Sequence, residues 1–305
     1  MHSITTVFFK PPDMKLVLIL IIGSFYGGLS ILADTAKPPP EYPHFVFENT
    51  QLRTLPRSAN GRDYMLYVAL PASYEKEPTR KYPVVYMTDG YWCFALINAL
   101  YSPLVYDRVV PEFIIVGIGY AGENLDYGKL RQWDLSPVEL GHGVPSGHAA
   151  EFLAVFEKEF IPFVEREYRA DPAHRELGGA SLGGLFSLYA MYTKPELFSG
   201  YIAVSPAVGD GSDWLFNYEE AFAKTGKLLK TRLFMSTAGN EWASFQANIK
   251  RFDKRITARK YPGLSYQFRF VEGERHGGTG AEGNNRALRF IFEPLAPETG
   301  QLPEQ

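Results

Sequence analysis

The 305-residue chain has a single cysteine, Cys93, and therefore cannot form an intramolecular disulfide. It also lacks long runs of like charge, low-complexity tracts and internal repeats of about 20–50 residues, which excludes a solenoid architecture. With 31 basic and 34 acidic residues the formal net charge is −3, so nucleic acid is not an expected partner. A domain without disulfides depends on a large apolar core, which the 46% hydrophobic content can supply.

Motifs for metals and nucleotides are missing from the sequence as well. It contains no H-E-x-x-H pair, no cluster of Cys and His, and no glycine loop of the phosphate-binding type. We therefore expect no metal and no cofactor, and we look for chemistry that ordinary side chains perform.

The first 44 residues differ in character from the rest of the chain. A basic start at Met14-Lys15 and an unbroken apolar run over 16–22 are followed by small residues. This order is typical of a secretory signal peptide. We predict a signal peptide over residues 1–36, with Met14 as an alternative start, and a proline-rich linker over residues 37–44. The mature protein is then expected in the periplasm or outside the cell, without a stable membrane span; an uncleaved anchor is the alternative.

Residues 45–305 show the pattern of one α/β domain. Alternating segments on either side of Asn60-Gly61 predict an opening antiparallel hairpin. Further strands are predicted at Tyr82–Met87, Phe113–Tyr120, Leu177–Ala180, Gly200–Ser205, Thr231–Thr237 and Leu264–Val271. Helices are predicted at Trp92–Val105, His148–Arg169, Ser244–Arg259 and Arg286–Phe292. The order predicts a mostly parallel central sheet with helices on both faces and an active site at the carboxyl ends of the strands.

One segment suggests the chemistry. Gly179-Ala180-Ser181-Leu182-Gly183 fits G-x-S-x-G, the nucleophile elbow of α/β-hydrolases. In such an elbow the serine occupies a sharp strand-to-helix turn, and small residues two positions before and after it let strand and helix pack closely. The N–H groups of the helix then face developing negative charge. A glycine-rich turn that merely caps a helix is the alternative.

The remaining members of a catalytic triad can be sought by chain order, which is Ser, acid, His in α/β-hydrolases. Only His276 follows Ser181 among the six histidines, and it lies in a glycine-flanked loop after the last predicted strand. Glu241 follows the strand before that and is our choice for the acid, which would orient the imidazole and stabilise its protonated form. The alternative acids are Asp210, Asp213, Glu272 and Glu274.

An ester carbonyl attacked by Ser181 would need two backbone N–H groups to stabilise its oxyanion. Leu182 supplies one because it follows the nucleophile. The second should come from the loop after the strand Tyr82–Met87, where Gly90 permits a turn and Tyr91 is the preferred donor.

Several motifs together resemble the Putative Esterase family of α/β-hydrolases, above all its enterochelin-esterase-like branch. They are Y-P-V-V-Y-M-T-D-G-Y-W-C-F (82–94), I-I-V-G-I-G-Y (114–120), R-Q-W-D-L-S-P (131–137), G-G-A-S-L-G-G (178–184), S-P-A (205–207) and the H-G-G that begins at His276. The family includes ferric-siderophore esterases, S-formylglutathione hydrolases, and acetyl and feruloyl esterases. The resemblance implies an α/β-hydrolase fold and ester hydrolysis. It also implies that Arg131 and Asp134 lie near the pocket, with a structural salt bridge as the alternative.

Aromatic residues are the other candidates for the pocket. The four tryptophans, Trp92, Trp133, Trp214 and Trp242, each follow a predicted strand, as does Tyr120 at a strand end. Aromatic walls favour substrates with flat or sugar-like faces. The alternative is four unrelated core tryptophans.

The sequence thus predicts an exported serine esterase acting on a small-molecule ester. The alternatives are a ferric-siderophore (trilactone) esterase specifically, an acyltransferase that uses the same triad, and an inactive binding protein on a hydrolase fold. The basic patch expected for an anionic siderophore is not evident in the loops beyond Arg131 and Arg275.

Overall fold

The computed structural model describes residues 45–141 and 143–297, and eight strands of that part form one mixed sheet. The strands are β1 (Thr50–Thr54), β2 (Tyr64–Ala69), β3 (Tyr82–Met87), β4 (Ile114–Tyr120), β5 (Ala170–Ala180), β6 (Gly200–Val204), β7 (Thr231–Ala238) and β8 (Leu264–Val271). The helices are α1 (Gly90–Tyr106), α2 (Tyr127–Leu135), α3 (Ala149–Val155), α4 (Ile161–Glu167), α5 (Leu182–Thr193), α6 (Asp210–Lys224), α7 (Ala243–Arg259) and α8 (Thr279–Phe292). The predicted signal peptide and linker lie outside the described residues.

The strand order is β1-β2-β4-β3-β5-β6-β7-β8. β2 is antiparallel to both β1 and β4, and the strands from β4 to β8 run parallel to one another. The predicted sheet, with its antiparallel opening, is confirmed. The predicted turn at Asn60-Gly61 is also present, and a hydrogen bond from the Gly61 N–H to the Ser58 carbonyl, 2.8 Å long, closes it.

Helices cover both faces of the sheet, as predicted. On one face α3, α4, α5 and α7 bury phenylalanines and aliphatic residues against alternate side chains of the strands. On the other face α1 and α8 pack over Val85, Ile115, Val204 and Phe234. The central strands are buried on both sides, which explains why β3 and β4 consist of continuous apolar residues.

Four helical regions differ from the prediction. The helix predicted over His148–Arg169 is interrupted by a π turn at Phe156–Phe160. α8 begins at Thr279 rather than Arg286. The additional residues include glycines, which let the helix pack closely on the sheet: a Cβ on Gly283 would lie 3.1 Å from Val204 Cγ1. α2 and α6 were not predicted. No described helix is both long and apolar enough to cross a membrane.

Candidate active site

Ser181 occupies the turn between β5 and α5 with φ 57° and ψ −118°, a conformation that L-residues rarely adopt. The flanking glycines explain how the turn fits. A Cβ on Gly179 would lie 2.5 Å from the Gly183 carbonyl carbon, and one on Gly183 would lie 2.3 Å from Thr88 Oγ1. Strand, helix and the end of β3 are therefore too close together for any side chain at these two positions.

α5 begins directly after Ser181. Its first backbone hydrogen bond runs from the Leu185 N–H to the Ser181 carbonyl at 3.0 Å. The N–H groups of Leu182 and Gly183 precede that bond and have no acceptor inside the helix. The positive end of the helix dipole and the Leu182 N–H are thus beside the serine, in the arrangement expected for one half of an oxyanion hole.

The sheet brings the predicted histidine and acid together. Glu241 lies between β7 and α7, His276 lies between β8 and α8, and His276 Nδ1 is 2.8 Å from Glu241 Oε1. The Glu241 side chain is fully buried, whereas 26% of the His276 side chain is exposed. The Asn240 N–H donates to the Glu274 carbonyl at 2.7 Å, which ties the two loops to each other.

The alternative acids are placed differently. Glu272 and Glu274 are exposed, and Asp213 forms an ion pair with Arg251. Asp210 is the first residue of α6. Glu241 is the acid that holds the histidine ring, and the rings of Trp242 and Phe245 pack on that histidine with centroids 5.0 and 5.2 Å away.

β5, β7 and β8 are parallel members of one sheet, so Ser181, Glu241 and His276 all follow carboxyl ends at the same edge. This is the edge where open α/β sheets bind their ligands. The arrangement can support nucleophilic attack with a histidine as proton acceptor. In the described part of the chain no group of three His, Cys, Asp or Glu side chains could hold a metal ion.

The loop after β3 faces the elbow from the neighbouring strand. Asp89 adopts a left-handed conformation, φ 55° and ψ 43°, and α1 begins at the next residue. A Cβ on Gly90 would lie 2.6 Å from the Gly117 carbonyl carbon, so only glycine fits there. The Trp92 N–H already donates to the Asp89 carbonyl at 2.8 Å. The N–H groups of Gly90 and Tyr91 precede it and have no acceptor within the helix.

Arg131 holds this loop. Its Nε and Nη2 atoms donate to Asp89 Oδ1 and Oδ2, each at 2.9 Å, and Nη2 also lies 3.4 Å from the Ala180 carbonyl. The guanidinium thus joins the loop before α1 to the residue before Ser181. The salt-bridge alternative for Arg131 is the one observed, and its partner is Asp89, for which no role was predicted. The sequence signal that could have pointed to Asp89 was the Asp-Gly pair directly after the buried strand β3.

Asp134 does not line a pocket, so that prediction is wrong. Its side chain is fully buried, accepts a hydrogen bond from the Tyr64 hydroxyl at 2.9 Å and lies 3.4 Å from Arg62 Nε. Burial raises the pKa of Asp134 to about 6. Tyr120 is also buried, against the ring of Tyr64 with centroids 5.7 Å apart, and burial raises its pKa well above the usual value. Both side chains are buried in the core, Asp134 on α2 itself and Tyr120 at the end of β4.

The tryptophans divide into two pairs, and all follow strands but lie on or at helices rather than in loops. Trp92 in the first turn of α1 and Trp242 at the start of α7 are 76% and 64% exposed. Because they border the Tyr91 loop and His276 respectively, they can offer flat apolar faces to a substrate.

The other pair is engaged in packing. Trp133 stacks on His148 with ring centroids 3.7 Å apart, and Trp214 stacks on Tyr218 at 4.6 Å. Trp214 also packs against the apolar core. For these two tryptophans the structure supports a packing role.

Comparison with known proteins identifies the family of the chain. A family model described as "Putative esterase" matches residues 58–262, about two thirds of the chain. The chain is 26% identical over 273 residues to a ferri-bacillibactin esterase, BesA, of Bacillus subtilis, covering 83% of this chain and 93% of the relative. It is 30% identical over 199 residues to a siderophore triacetylfusarinine C esterase of Aspergillus fumigatus, covering 64% of this chain and 65% of that protein.

A solved structure gives the same result at the level of the fold. The crystal structure of an IroE-like serine hydrolase from Shewanella oneidensis superimposes with a TM-score of 0.74 at 26% sequence identity, and the match covers 82% of each chain. The α/β-hydrolase fold expected from the sequence is thereby confirmed.

Proposed function

The chain belongs to the esterase family and is a carboxylic ester hydrolase, and from that premise we propose that it works through an acyl-enzyme formed on Ser181. His276 accepts the Ser181 hydroxyl proton while the oxygen attacks the ester carbonyl carbon. Glu241 keeps the histidine in the tautomer whose free nitrogen can take that proton.

The second half of the proposed reaction returns the enzyme to its starting state. The tetrahedral oxyanion is stabilised by the N–H groups of Leu182 and Tyr91, and the bond to the alcohol oxygen breaks as His276 returns the proton to it. Water then loses a proton to His276, attacks the acyl carbon and displaces the Ser181 oxygen, which is reprotonated. The products are a carboxylic acid and an alcohol.

The observation that best supports this proposal is the hydrogen bond between the His276 ring and the Glu241 carboxylate. A buried carboxylate bound to the partly exposed imidazole of a loop is an arrangement that triad chemistry uses. The left-handed Ser181 between β5 and α5 supports it independently, because backbone strain of this kind concentrates at functional sites.

We propose siderophore esters as the substrate class. Two relatives named above are a ferri-bacillibactin esterase and a siderophore triacetylfusarinine C esterase. The exposed rings of Trp92 and Trp242 would contact flat groups of such a molecule, and Arg275 beside His276 is an exposed cation at the same edge.

The test is hydrolysis of p-nitrophenyl acetate, ferri-bacillibactin and ferric triacetylfusarinine C by the wild type, Ser181→Ala and a control, Ser265→Ala. Ser265 is exposed on β8 and lies outside the proposed site. We expect Ser181→Ala to lower kcat by about 10⁴-fold or more and Ser265→Ala to leave it unchanged. Activity that survives Ser181→Ala would refute the nucleophile. Hydrolysis of p-nitrophenyl acetate alone would refute only the siderophore assignment.

We also propose that the protein is exported, on the strength of the apolar run over 16–22. Mass spectrometry of the protein recovered from periplasm and medium should give an N-terminus between residues 33 and 37. A full-length chain in the membrane fraction would support the uncleaved anchor instead.

A further inference from the structure

A groove of about 500 Å³ lies between the edge strand β8 and the last turns of α8. Its lining includes three arginines, Arg269 on β8 and Arg286 and Arg289 on α8, and a single carboxylate, Glu293. The volume falls in the range of about 300–1,000 Å³ that small-molecule sites occupy. None of these residues belongs to the site proposed for ester hydrolysis.

The groove is remote from the catalytic edge of the sheet. α8 starts beside His276 and runs back along the strands, so Arg286 and Arg289 lie about 10–15 Å further along its axis than Thr279. A ligand bound there would not touch Ser181.

Positive charge in the groove is not neutralised locally. Glu293 is already paired with Arg232 of β7, whose guanidinium stacks on the Phe290 ring 4.3 Å from its centroid. Within the described residues, the guanidinium groups of Arg269 and Arg289 form no ion pair or hydrogen bond, and that of Arg286 has only Glu282 at 3.8 Å, one turn before it on α8. Such a concentration of cations is unusual in a chain whose acidic residues outnumber its basic ones.

The chemistry of the groove defines its ligand. Guanidinium groups donate two parallel hydrogen bonds to carboxylate or phosphate oxygens, which is the pairing for which arginine is best suited. Among the described strands β8 pairs only with β7, so its outer edge offers further backbone N–H donors. Three arginines on two elements facing one groove match a ligand with several oxyanion groups better than a single ion.

We propose that this groove binds a small multivalent anion whose carboxylate or phosphate groups pair with Arg269, Arg286 and Arg289. The groove is an accessory site, separate from the one that cleaves esters. It gives the protein a means of holding anionic molecules on the face of β8 and α8 while the catalytic edge stays free.

Isothermal titration of the protein with citrate and with inorganic pyrophosphate, at low ionic strength, tests the proposal. The groove variant Arg286→Gln/Arg289→Gln should weaken binding at least about tenfold, since each charge-assisted hydrogen bond contributes about that factor. The control Arg57→Gln/Arg166→Gln removes the same charge from exposed arginines elsewhere and should bind as the wild type does. Preference for one probe identifies the oxyanion class.

Three results would overturn the proposal. They are the absence of saturable binding of either probe to the wild type, equal affinity in the groove and control variants, and loss of binding in Arg275→Gln with the groove variant unaffected. The last result would locate the anion beside His276 instead. Hydrolysis of p-nitrophenyl acetate by the groove variant should match the wild type, which separates this site from the proposed catalytic one.

Discussion

The loops that carry Ser181 and His276 are built in opposite ways. Ser181 follows the central strand β5, and the Thr88 side chain and the elbow's own backbone lie so close to Gly179 and Gly183 that no side chain would fit at either position. His276 follows the edge strand β8, in a loop with open space around Gly277, and is held by Glu241 and two aromatic rings. The nucleophile is thus positioned by close packing that leaves room only for glycine beside it, whereas the base is positioned by a hydrogen bond and ring contacts in an open loop.

The difference predicts where each half of the site is vulnerable. Changes at the elbow should damage the fold, and changes around the histidine should damage catalysis while the fold persists.

Replacing the acid should have the largest effect on the histidine side. Glu241→Gln keeps the shape of the side chain but can stabilise neither the required tautomer nor the protonated ring, so kcat should fall by about 10³-fold. The unfolding midpoint should change little. Glu272→Gln, an exposed carboxylate in the same loop as His276, is the control and should keep full activity. Equal losses in both variants would mean that Glu241 is not the acid.

The elbow can be tested with a matched pair of glycines. An alanine at Gly179 would place its Cβ 2.4 Å from Thr88 Oγ1 and 2.5 Å from the Gly183 backbone, and we expect a loss of about 3 kcal/mol in the free energy of unfolding. Gly277→Ala meets nothing within 4 Å and should change stability by less than about 0.5 kcal/mol. Urea denaturation measures both. Similar stabilities for the two variants would remove the contrast between the loops.

Arg131 should affect turnover without affecting binding, because its contacts are with Asp89 and Ala180. Arg131→Gln releases the loop that presents the Tyr91 N–H, and kcat should fall about 10- to 100-fold while KM stays nearly constant. Arg131→Lys, which keeps the charge but not the two parallel bonds, should recover only part of the loss. A rise in KM with kcat unchanged would instead show that Arg131 contacts the substrate.

Glu176 on β5 offers the smallest effect, which is a change in how stability depends on pH. Glu176 is buried, and burial raises its pKa to about 7 from the usual 4.5. The folded protein therefore holds this proton more tightly than the unfolded chain, so the contribution of Glu176 to stability is greatest below pH 4.5 and declines as pH rises to about 7.

Glu176→Gln should flatten this decline, which we expect to amount to about 1–2 kcal/mol between pH 5 and 6.5. Urea unfolding at several pH values measures it. An unchanged slope would show that other groups cause the decline. The pH dependence of kcat should be the same in this variant, since the Glu176 carboxylate is buried and accepts a hydrogen bond from the Ser199 hydroxyl at 2.7 Å, away from the proposed triad.

The sequence predicted those parts of the fold that local patterns determine. β3 and β4 were evident as unbroken apolar runs, and the elbow was evident because its backbone needs glycine at two positions. α2 was missed because its residues are mostly polar and its start depends on a cap, the Asp126 carboxylate accepting from the Lys129 N–H at 3.0 Å. α6 was missed because it opens with left-handed residues, which no hydrophobic spacing indicates.

Chain order was enough to select His276 and Glu241 as candidates, but contacts between distant residues could not be predicted in this way. Arg131 and Asp89 are separated by 42 positions, and their pairing depends on how β3 and α2 pack. The burial of Asp134 likewise depends on Tyr64 and Arg62 from β2 and the turn before it. Side-chain roles near the pocket were therefore the least predictable part of the site.

The position of β8 has a consequence for how the protein would lose its function under stress. An outermost strand opens locally at a lower free energy than the whole domain unfolds. If β8 and its following loop detach together, the histidine moves away while the interior strands and the serine keep their places. Heating should then abolish ester cleavage before circular dichroism records the melting of the sheet, and on cooling the activity should return without refolding of the core.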